Sequence, residues 1–499
     1  MDIPAFIWLI WLPLLGAPLV YLVGRLLSAR LARGTALVVL LAAWLPFAAT
    51  WQAFARQEAV AFTLGQVVLR VDGVSLLITA VILTLTPLIT LYSARTLDGA
   101  DGSEKYNAML LAMGGSMIGL SCAADLFNLW LWFEAMAVTS YLLVAFYHQQ
   151  PASLEAGVKY LVQSVVGSVL VLFGVALVLA QSGTLSLVTL RQQATPSPLL
   201  LTACALFVVG FGVKIAIVPL HTWLPDAHAQ APSGISALLS GIVIETGLVA
   251  LLRVLAALTA VTPAQGHTWG LLLLILGAVN MLAGNLLALP QTQVKRLLAF
   301  SSISHIGYML TGLGIAVTSG EAAGAQGGFF HLLTHGLMKG LAFLAAGALL
   351  YGLHTAVNDH TPLTIDELSG AMWHYPLVAV ALTLALLGLG GIPPLAGFMS
   401  KWQILLAGMG SGQAILMGFV AFAALNSLLS LAYYAPLVQM VFRREMSAVV
   451  QNGRSLPLTM NLPILLLSLA IVALGLWPGL AAGLTQGAGE ALLSVISNR

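Results

Sequence analysis

Charge is the scarcest ingredient of this 499-residue chain: Lys and Arg number 19, Asp and Glu 17, together 7% of the residues. Soluble domains carry about a quarter of their residues charged, so this composition excludes a soluble globular protein. The formal net charge of +2 is too small to suggest a nucleic-acid partner. Cysteine is nearly absent. Cys122 and Cys204 both sit in apolar surroundings, with no spacing for a disulfide, a metal or an iron–sulfur cluster, and read as small core residues. Also missing are a phosphate-binding GxxxxGK[ST] loop and a GxGxxG dinucleotide fingerprint. The chain is therefore expected to hold no cofactor and no metal, to carry no catalytic residue, and to contain no energy source of its own. Its longest polar stretch, HTAVNDHTPLTIDELSG, reads as a loop, so no soluble domain is expected.

What is abundant is hydrocarbon. Hydrophobic residues make up 60% of the chain. They occur in runs of about 20, long enough to cross a bilayer as helix and too long for the alternating strands of a barrel. The fold class is all-α, polytopic and membrane-spanning. About 14 segments are expected by hydropathy and length. They start near Pro4, Thr35, Gly73, Ala108, Phe127, Ala156, Leu199, Ser233, Trp269, Val294, Gly327, Pro376, Ala414 and Leu458. The first, from Phe6 to Val23, is too long for a signal-peptide core and lacks a basic leader, so a retained helix is expected. Between the second and third, AVAFTLGQVVLRVDG alternates apolar and polar residues and reads as a short extramembrane hairpin. The C-terminal GAGEALLSVISNR is too short for a long helix running along neighbouring subunits.

Arg25, Arg30, Arg33, Arg95, Lys105, Lys295, Arg296, Arg443, Arg444 and Arg454 fall in alternate loops. The opposite loops hold little beyond Arg56, Arg70 and Arg191. By the positive-inside rule the first set is cytoplasmic, which puts both termini outside.

Against this background, ionisable residues in mid-span stand out. Glu134 lies in FNLWLWFEAMAVTSYLLV, Lys214 in FVVGFGVKIAIVPL, Glu245 in SALLSGIVIETGLVALL and Lys339 in HLLTHGLMKGLAFLAAGALL. Each charge near the bilayer centre costs about 2.5–3.5 kcal/mol on insertion scales. Several of both signs point to a buried polar path along which charge moves. Lys214 is the natural partner of Glu134: a buried lysine loses its proton when desolvated, and a nearby carboxylate restores it. The blander alternative for both is a static bridge that knits helices. Glu245, about 18 Å into its helix, suits a central relay or a bridge to Lys214 or Lys339. His331, His335 and Lys339 recur at i, i+4 and i+8 and share a helix face. Histidine titrates near neutrality and suits a relay. His305 either extends the polar line or is a hydrogen-bonded core histidine. Lys401 either ends the path or snorkels, and Lys159 either modulates the Glu134–Lys214 pair or snorkels.

Two segments read as broken helices. In KIAIVPLHTWLPDAHAQAPSG, Pro219 and Pro225 follow Lys214; in GLGGIPPLAGFMSKWQIL, Pro393 and Pro394 precede Lys401. Such backbone survives at membrane depth only inside protein or beside a wet cavity. Paired interruptions in two halves point to an inverted-repeat transporter. The expected division is 1–107, N-terminal helices with the hairpin; 108–260 and 269–445, two half-channel repeats; and 446–499, the C-terminal helix. His221, Trp223, Asp226 and His228 cluster after the first break, where they hold it or line an entrance.

KIAIVPLHTWLPDAHAQAPSGISALLSG, with QVKRLLAFSSISHIGYML and HLLTHGLMKGLAFLAAGAL, resembles the proton-conducting antiporter-like subunits of respiratory complex I, membrane-bound hydrogenases and Mrp-type cation/proton antiporters. DLFNLWLWFEAM looks most like the Mrp D-type subunit and its hydrogenase-related cousins. The resemblance runs from about residue 70 to 445. It implies about 14 helices, two inverted five-helix repeats and two broken helices. By the same resemblance, Glu134 and Lys214 form the acid–base pair of the first half-channel, Glu245 is the central relay, and Lys339 and Lys401 continue the path. Many relatives place Lys or His where this chain has Glu245. The implied function is proton translocation within an assembly such as an NADH:quinone oxidoreductase. The rivals are a standalone or Mrp sodium/proton antiporter and a non-conducting scaffold. Expected partners are other membrane subunits in the lipid bilayer, with peripheral redox subunits and quinone reached only through them. The expected location is a prokaryotic-type inner (cell) membrane.

Overall fold

The computed structural model describes residues 4–56, 60–65, 67–98, 102–193, 195–259, 263–355 and 361–496. Helix dominates because each apolar run satisfies its own backbone in hydrocarbon only that way. The chain begins with α1 (Ala5–Leu26), followed by α2 (Ala29–Ala42) and α3 (Trp44–Ala55), which together form one span. The antiparallel hairpin β1 (Ala61–Leu64) and β2 (Val67–Arg70) comes next, with Ala61 opposite Arg70. Then come α4 (Gly73–Thr96), α5 (Ser103–Cys122), α6 (Leu126–Val144), α7 (Pro151–Ser182), the short α8 (Leu187–Gln193) and α9 (Pro198–Ile215). After a break follow α10 (Trp223–Gln230), α11 (Ser233–Leu238), a π turn (Leu239–Val243) and α12 (Ile244–Thr259). The remainder is α13 (Pro263–Ala288), α14 (Val294–Ser319), α15 (Ala322–Leu353), α16 (Ala371–His374), α17 (Pro376–Gly390), α18 (Ala396–Gly410), α19 (Ala414–Val441), α20 (Ala448–Gln451), α21 (Leu458–Leu476) and α22 (Ala482–Ile496).

Among the described residues, 12 helices are long and apolar enough to span a membrane, and α17 is a shorter apolar helix. The protein is an integral membrane protein. Every segment start expected from hydropathy falls at or on a helix, and the expected hairpin is β1–β2. The starts are set by local chemistry. Asp72 caps α4 by accepting from the Ser75 amide at 2.9 Å, and Asp125 caps α6 by accepting from Asn128 at 2.7 Å. Ser197 caps α9, whose first residue is Pro198.

The spans are not equally enclosed. Over the most apolar 18 residues of each span, buried residues make up 100% of α11–α12, 94% of α14, 89% of α15 and 83% of α4. On α2–α3 and α19 the shares are 22% and 28%. Four helices therefore form an interior that touches little lipid. Their tight approach needs glycine in places: a side chain at Gly241 would meet the Gly336 carbonyl at 2.9 Å, so the π turn and α15 pass almost backbone to backbone. α22 returns beside the start of α4, where Trp51 of α3 also faces it. Both ends of the described chain thus lie on one face.

Candidate functional site

Lys214 sits in the last turn of α9, immediately before the break. Ala216 ends that helix with φ 58°, a left-handed conformation, and a cis Val218–Pro219 bond follows. The backbone groups freed by the break are satisfied by side chains. Trp223 Nε1 donates to the Val213 carbonyl at 2.7 Å, and the Val218 amide donates to Asn280 Oδ1 at 3.0 Å. Trp223 also stacks on Tyr160 of α7, with centroids 3.9 Å apart and planes at 3°. That stack fixes the ring against which Lys214 rests: Nζ lies 4.8 Å from the Tyr160 centroid and donates to Tyr160 Oη at 2.5 Å and Ser140 Oγ at 2.9 Å.

Glu134, on α6 with Ser140, is near enough to interact electrostatically with Lys214. No direct ion pair joins them: the ammonium is held by two hydroxyls instead. One Glu134 oxygen, Oε1, is buried without a protein partner. On its other side the Lys214 stem packs against α12, where a side chain at Gly247 would meet Lys214 Cγ at 3.3 Å. Two residues earlier on the same helix is Glu245.

Glu245 is fully buried and bonds to His335 rather than to a lysine: Nδ1 to Oε1 is 2.6 Å. Its second oxygen and His335 Nε2 have no protein partner. The π turn just before α12 widens the helix by one residue per turn and so resets which side chains face α15. In that turn Ser240 Oγ lies 2.6 Å from Ser302 Oγ of α14.

From His335 the polar line continues by ring contact. His305 of α14 stacks on His335 at 5.1 Å and on His331 at 5.2 Å, and shares a 3.0 Å hydrogen bond with His331. His331 Nδ1 lies 2.9 Å from Ser400 Oγ on α18, which Thr334 also reaches at 3.0 Å. Next on α18, Lys401 has Nζ 4.5 Å from the Tyr308 centroid and donates to Ser427 at 2.9 Å and to the Leu389 carbonyl at 2.7 Å. That carbonyl belongs to the last turn before the second break, where Gly391 (φ 83°) is followed by a cis Pro393–Pro394 bond. Lys339 faces a different way. It donates to the Leu298 carbonyl at 2.8 Å and to Ser301 at 2.5 Å, and Ser301 in turn bonds to Tyr434.

The remaining candidates fall around this line. Lys159 does not reach the Glu134–Lys214 region as a partner. It pairs with Glu155 at 2.8 Å and Asp226 at 3.0 Å, and Arg296 holds the other Asp226 oxygen at 2.6 Å. Burial raises the Asp226 carboxyl, but Arg296 and Lys159 outweigh it and leave the group below the ordinary aspartate range. His221 packs edge-on near Phe300, at 6.4 Å. His228 is fully buried, stacked on Phe343 at 4.6 Å, with neither ring nitrogen partnered. Lys295, read from sequence as a loop charge, is buried and donates to the Ala231 carbonyl at 2.5 Å. It borders a cavity of about 500 Å³ with Gln230, Ser233, Arg95 and Tyr351. Sequence reasoning passed over Ser140, Tyr160, Tyr308, Ser400 and Ser427, because hydroxyls in an apolar helix more often bond their own backbone. Tyr160 and Tyr308 had a signal: each lies in the helix whose charged or histidine residue had already drawn attention.

The fold and motifs together match a known group. Residues 123–430 match the family described as "NADH:quinone oxidoreductase/Mrp antiporter, TM". The chain belongs to this family. F(420)H(2) dehydrogenase subunit N of Methanosarcina mazei is 32% identical over 425 residues, 84% of each chain. Among solved structures, a chain of the membrane-bound sulfane sulfur reductase, an archaeal respiratory membrane complex, is 26% identical with a TM-score of 0.88, covering 99% of this chain and 98% of that one. A chain of Thermus thermophilus respiratory complex I is 28% identical with a TM-score of 0.77, covering 96% and 100%. A chain of the Mrp complex from Dietzia sp. is 23% identical with a TM-score of 0.85, covering 99% of each, and shares the fold. The solved relatives are subunits within multi-subunit membrane complexes.

Proposed function

We propose that this subunit translocates protons through the membrane along Glu134, Lys214, Glu245, His335, His305, His331 and Lys401. Lys339 and its Ser301–Tyr434 contact form a side branch. The observation that carries this reading is the series of buried groups Glu245, His335, His305 and His331 across α12, α15 and α14, which Tyr308 connects to Lys401 on α18 by ring contacts. A static scaffold has no need of four buried bases in a row, each costly to bury. Each lysine next to a break is held alike: Lys214 by Tyr160 and Ser140, Lys401 by Tyr308 and Ser427. That likeness supports two related half-channels within about 14 helices.

Lys214 is the switch in the first half. Two hydroxyls and the Tyr160 face hold its ammonium, while Glu134 stands off. Approach of the Glu134 carboxylate favours the protonated lysine; retreat favours release toward Glu245. Partnerless polar atoms on Glu134, Glu245 and His335 are points where water can join the line. We place the basic loops on the cytoplasmic side of a prokaryotic cell membrane and both termini outside.

The drive comes from redox partners, a reading supported by relatives whose names denote a dehydrogenase and a reductase. Purification of the native complex tests this: cluster- and flavin-bearing subunits mean redox drive, whereas small membrane subunits alone mean cation exchange. The path is tested with the assembled complex in proteoliposomes and a pH-sensitive dye. Lys214→Ala should abolish most proton movement while the complex still assembles. Full proton movement in that variant would leave only the scaffold reading.

A further inference from the structure

A second cavity, of about 390 Å³, lies at the face that carries β1–β2 and the end of α22, and none of the proposed path residues lines it. Its polar edge brings Arg70 from β2, Arg191 from α8 and Arg253 from α12 to one place, with Asp72 as the acid among its lining residues. Asp72 is already committed. Arg253 clamps it with two bonds of 2.8 Å and also reaches the Ser121 carbonyl at 2.6 Å. Among the described residues Arg191 donates only to the Ser494 carbonyl, and no acid lies within salt-bridge distance of Arg70 or Arg191. Burial first, and the neighbouring Arg70 second, hold the Arg191 guanidinium below its ordinary value. Two like charges therefore face one cavity without an internal counter-ion. The opposite wall is hydrocarbon, from Val74, Leu187, Leu252, Phe329 and Leu492.

We propose that this cavity binds an anionic amphiphile, with a phosphate-type head between Arg70 and Arg191 and a hydrocarbon chain on the Leu187–Leu252–Phe329 wall. Guanidinium groups match phosphate oxygens in geometry and charge. An anion there relieves the Arg70–Arg191 repulsion, and the apolar wall accounts for the rest of the molecule. Arg253 stays with Asp72 and anchors the floor. The cavity edge is at a membrane boundary, where a lipid of the surrounding bilayer presents this combination of head and chain.

The test uses the full chain in its complex, stripped of lipid in a nonionic detergent. It is titrated with dihexanoyl phosphatidylglycerol, dihexanoyl phosphatidylcholine and inorganic phosphate, read by Tm and by native mass spectrometry. The anionic lipid should raise Tm saturably and appear as a bound mass, and the zwitterionic lipid should not. Arg70→Gln with Arg191→Gln should weaken binding by about tenfold or more, as expected for losing charged hydrogen bonds. The Arg70 side chain is exposed and makes no hydrogen bond among the described residues, so Arg70→Gln alone keeps the fold and should weaken binding in the same direction. If inorganic phosphate reproduces the whole shift, the site takes a free anion and the lipid assignment fails. Equal binding of both lipids, or undiminished binding in the variants, overturns the anion site. No binding in the complex, with binding restored once partner subunits are removed, assigns the cavity to a partner's acidic segment.

Discussion

His335 decides what Glu245 can be. A carboxyl group with zero exposure needs a hydrogen-bond partner, and His335 Nδ1 supplies one at 2.6 Å. Replacing His335 by Leu leaves that acid unpaired, which should destabilise the extracted complex by about 1–3 kcal/mol. The drop in Tm should be accompanied by lost proton movement. Glu245→Gln keeps a bonding group at the same place, so it should cost less stability yet still stop translocation; a fully active Glu245→Gln would remove the acid from the path. Tyr160 offers a second residue-level test, because it contributes a hydroxyl and a ring to Lys214. Tyr160→Phe keeps the ring and should retain part of the proton flux, whereas Tyr160→Leu should lose nearly all of it. Equal flux in both variants would show that the ring does nothing for the lysine. At this scale the ionisable residues were legible in the sequence, because lipid penalises each of them heavily. Their partners were not. Glu245 seemed suited to Lys214 or Lys339, and only the packing of α12 on α15 selects His335.

Two helices are interrupted where proline patterns predicted, and each interruption is stabilised by groups from other helices. The first depends on Ala216 at φ 58°. A β-branched residue strongly resists that region, so Ala216→Val should cost about 2 kcal/mol or more. Ala216→Gly relieves strain but loses a buried methyl, and should stay within about 1 kcal/mol of wild type. Thermal melts of both variants decide this, and similar Tm values for the two would show that the left-handed cap is not the constraint. At the other end of the bundle Asp72 caps α4 and ties it to α12 through Arg253. Burial raises its carboxyl, but the Arg253 charge and the hydrogen bonds outweigh that, leaving it below the ordinary aspartate value of 3.8. The stability this group contributes is therefore complete above the ordinary aspartate range and is lost as pH falls through the lowered value. Asp72→Asn should lower Tm at neutral pH, and the gap to wild type should close only under strongly acidic conditions. A gap independent of pH would mean that the carboxylate charge is not what matters.

Across the whole molecule, the proposed path is one series running through both halves. Blocking it at Lys214 or at Lys401 should have the same consequence. The double variant Lys214→Ala with Lys401→Ala should move protons no more slowly than the worse single variant. Such non-additivity is the mark of sites acting as a unit. Multiplied losses in the double variant would indicate two independent routes. By itself the sequence determined the membrane class, the helical character, the hairpin, the positions of the breaks and the residues too polar to lie in lipid. It could do so because hydropathy, proline geometry and the cost of buried charge act locally along the chain. Tertiary structure decided the rest. It holds Lys214 with hydroxyls instead of a carboxylate, gives Lys159 to Asp226, buries Lys295 against the Ala231 carbonyl and lines the three histidines up with Glu245. Those outcomes depend on which helix faces pack together, and no single segment of the chain carries that information.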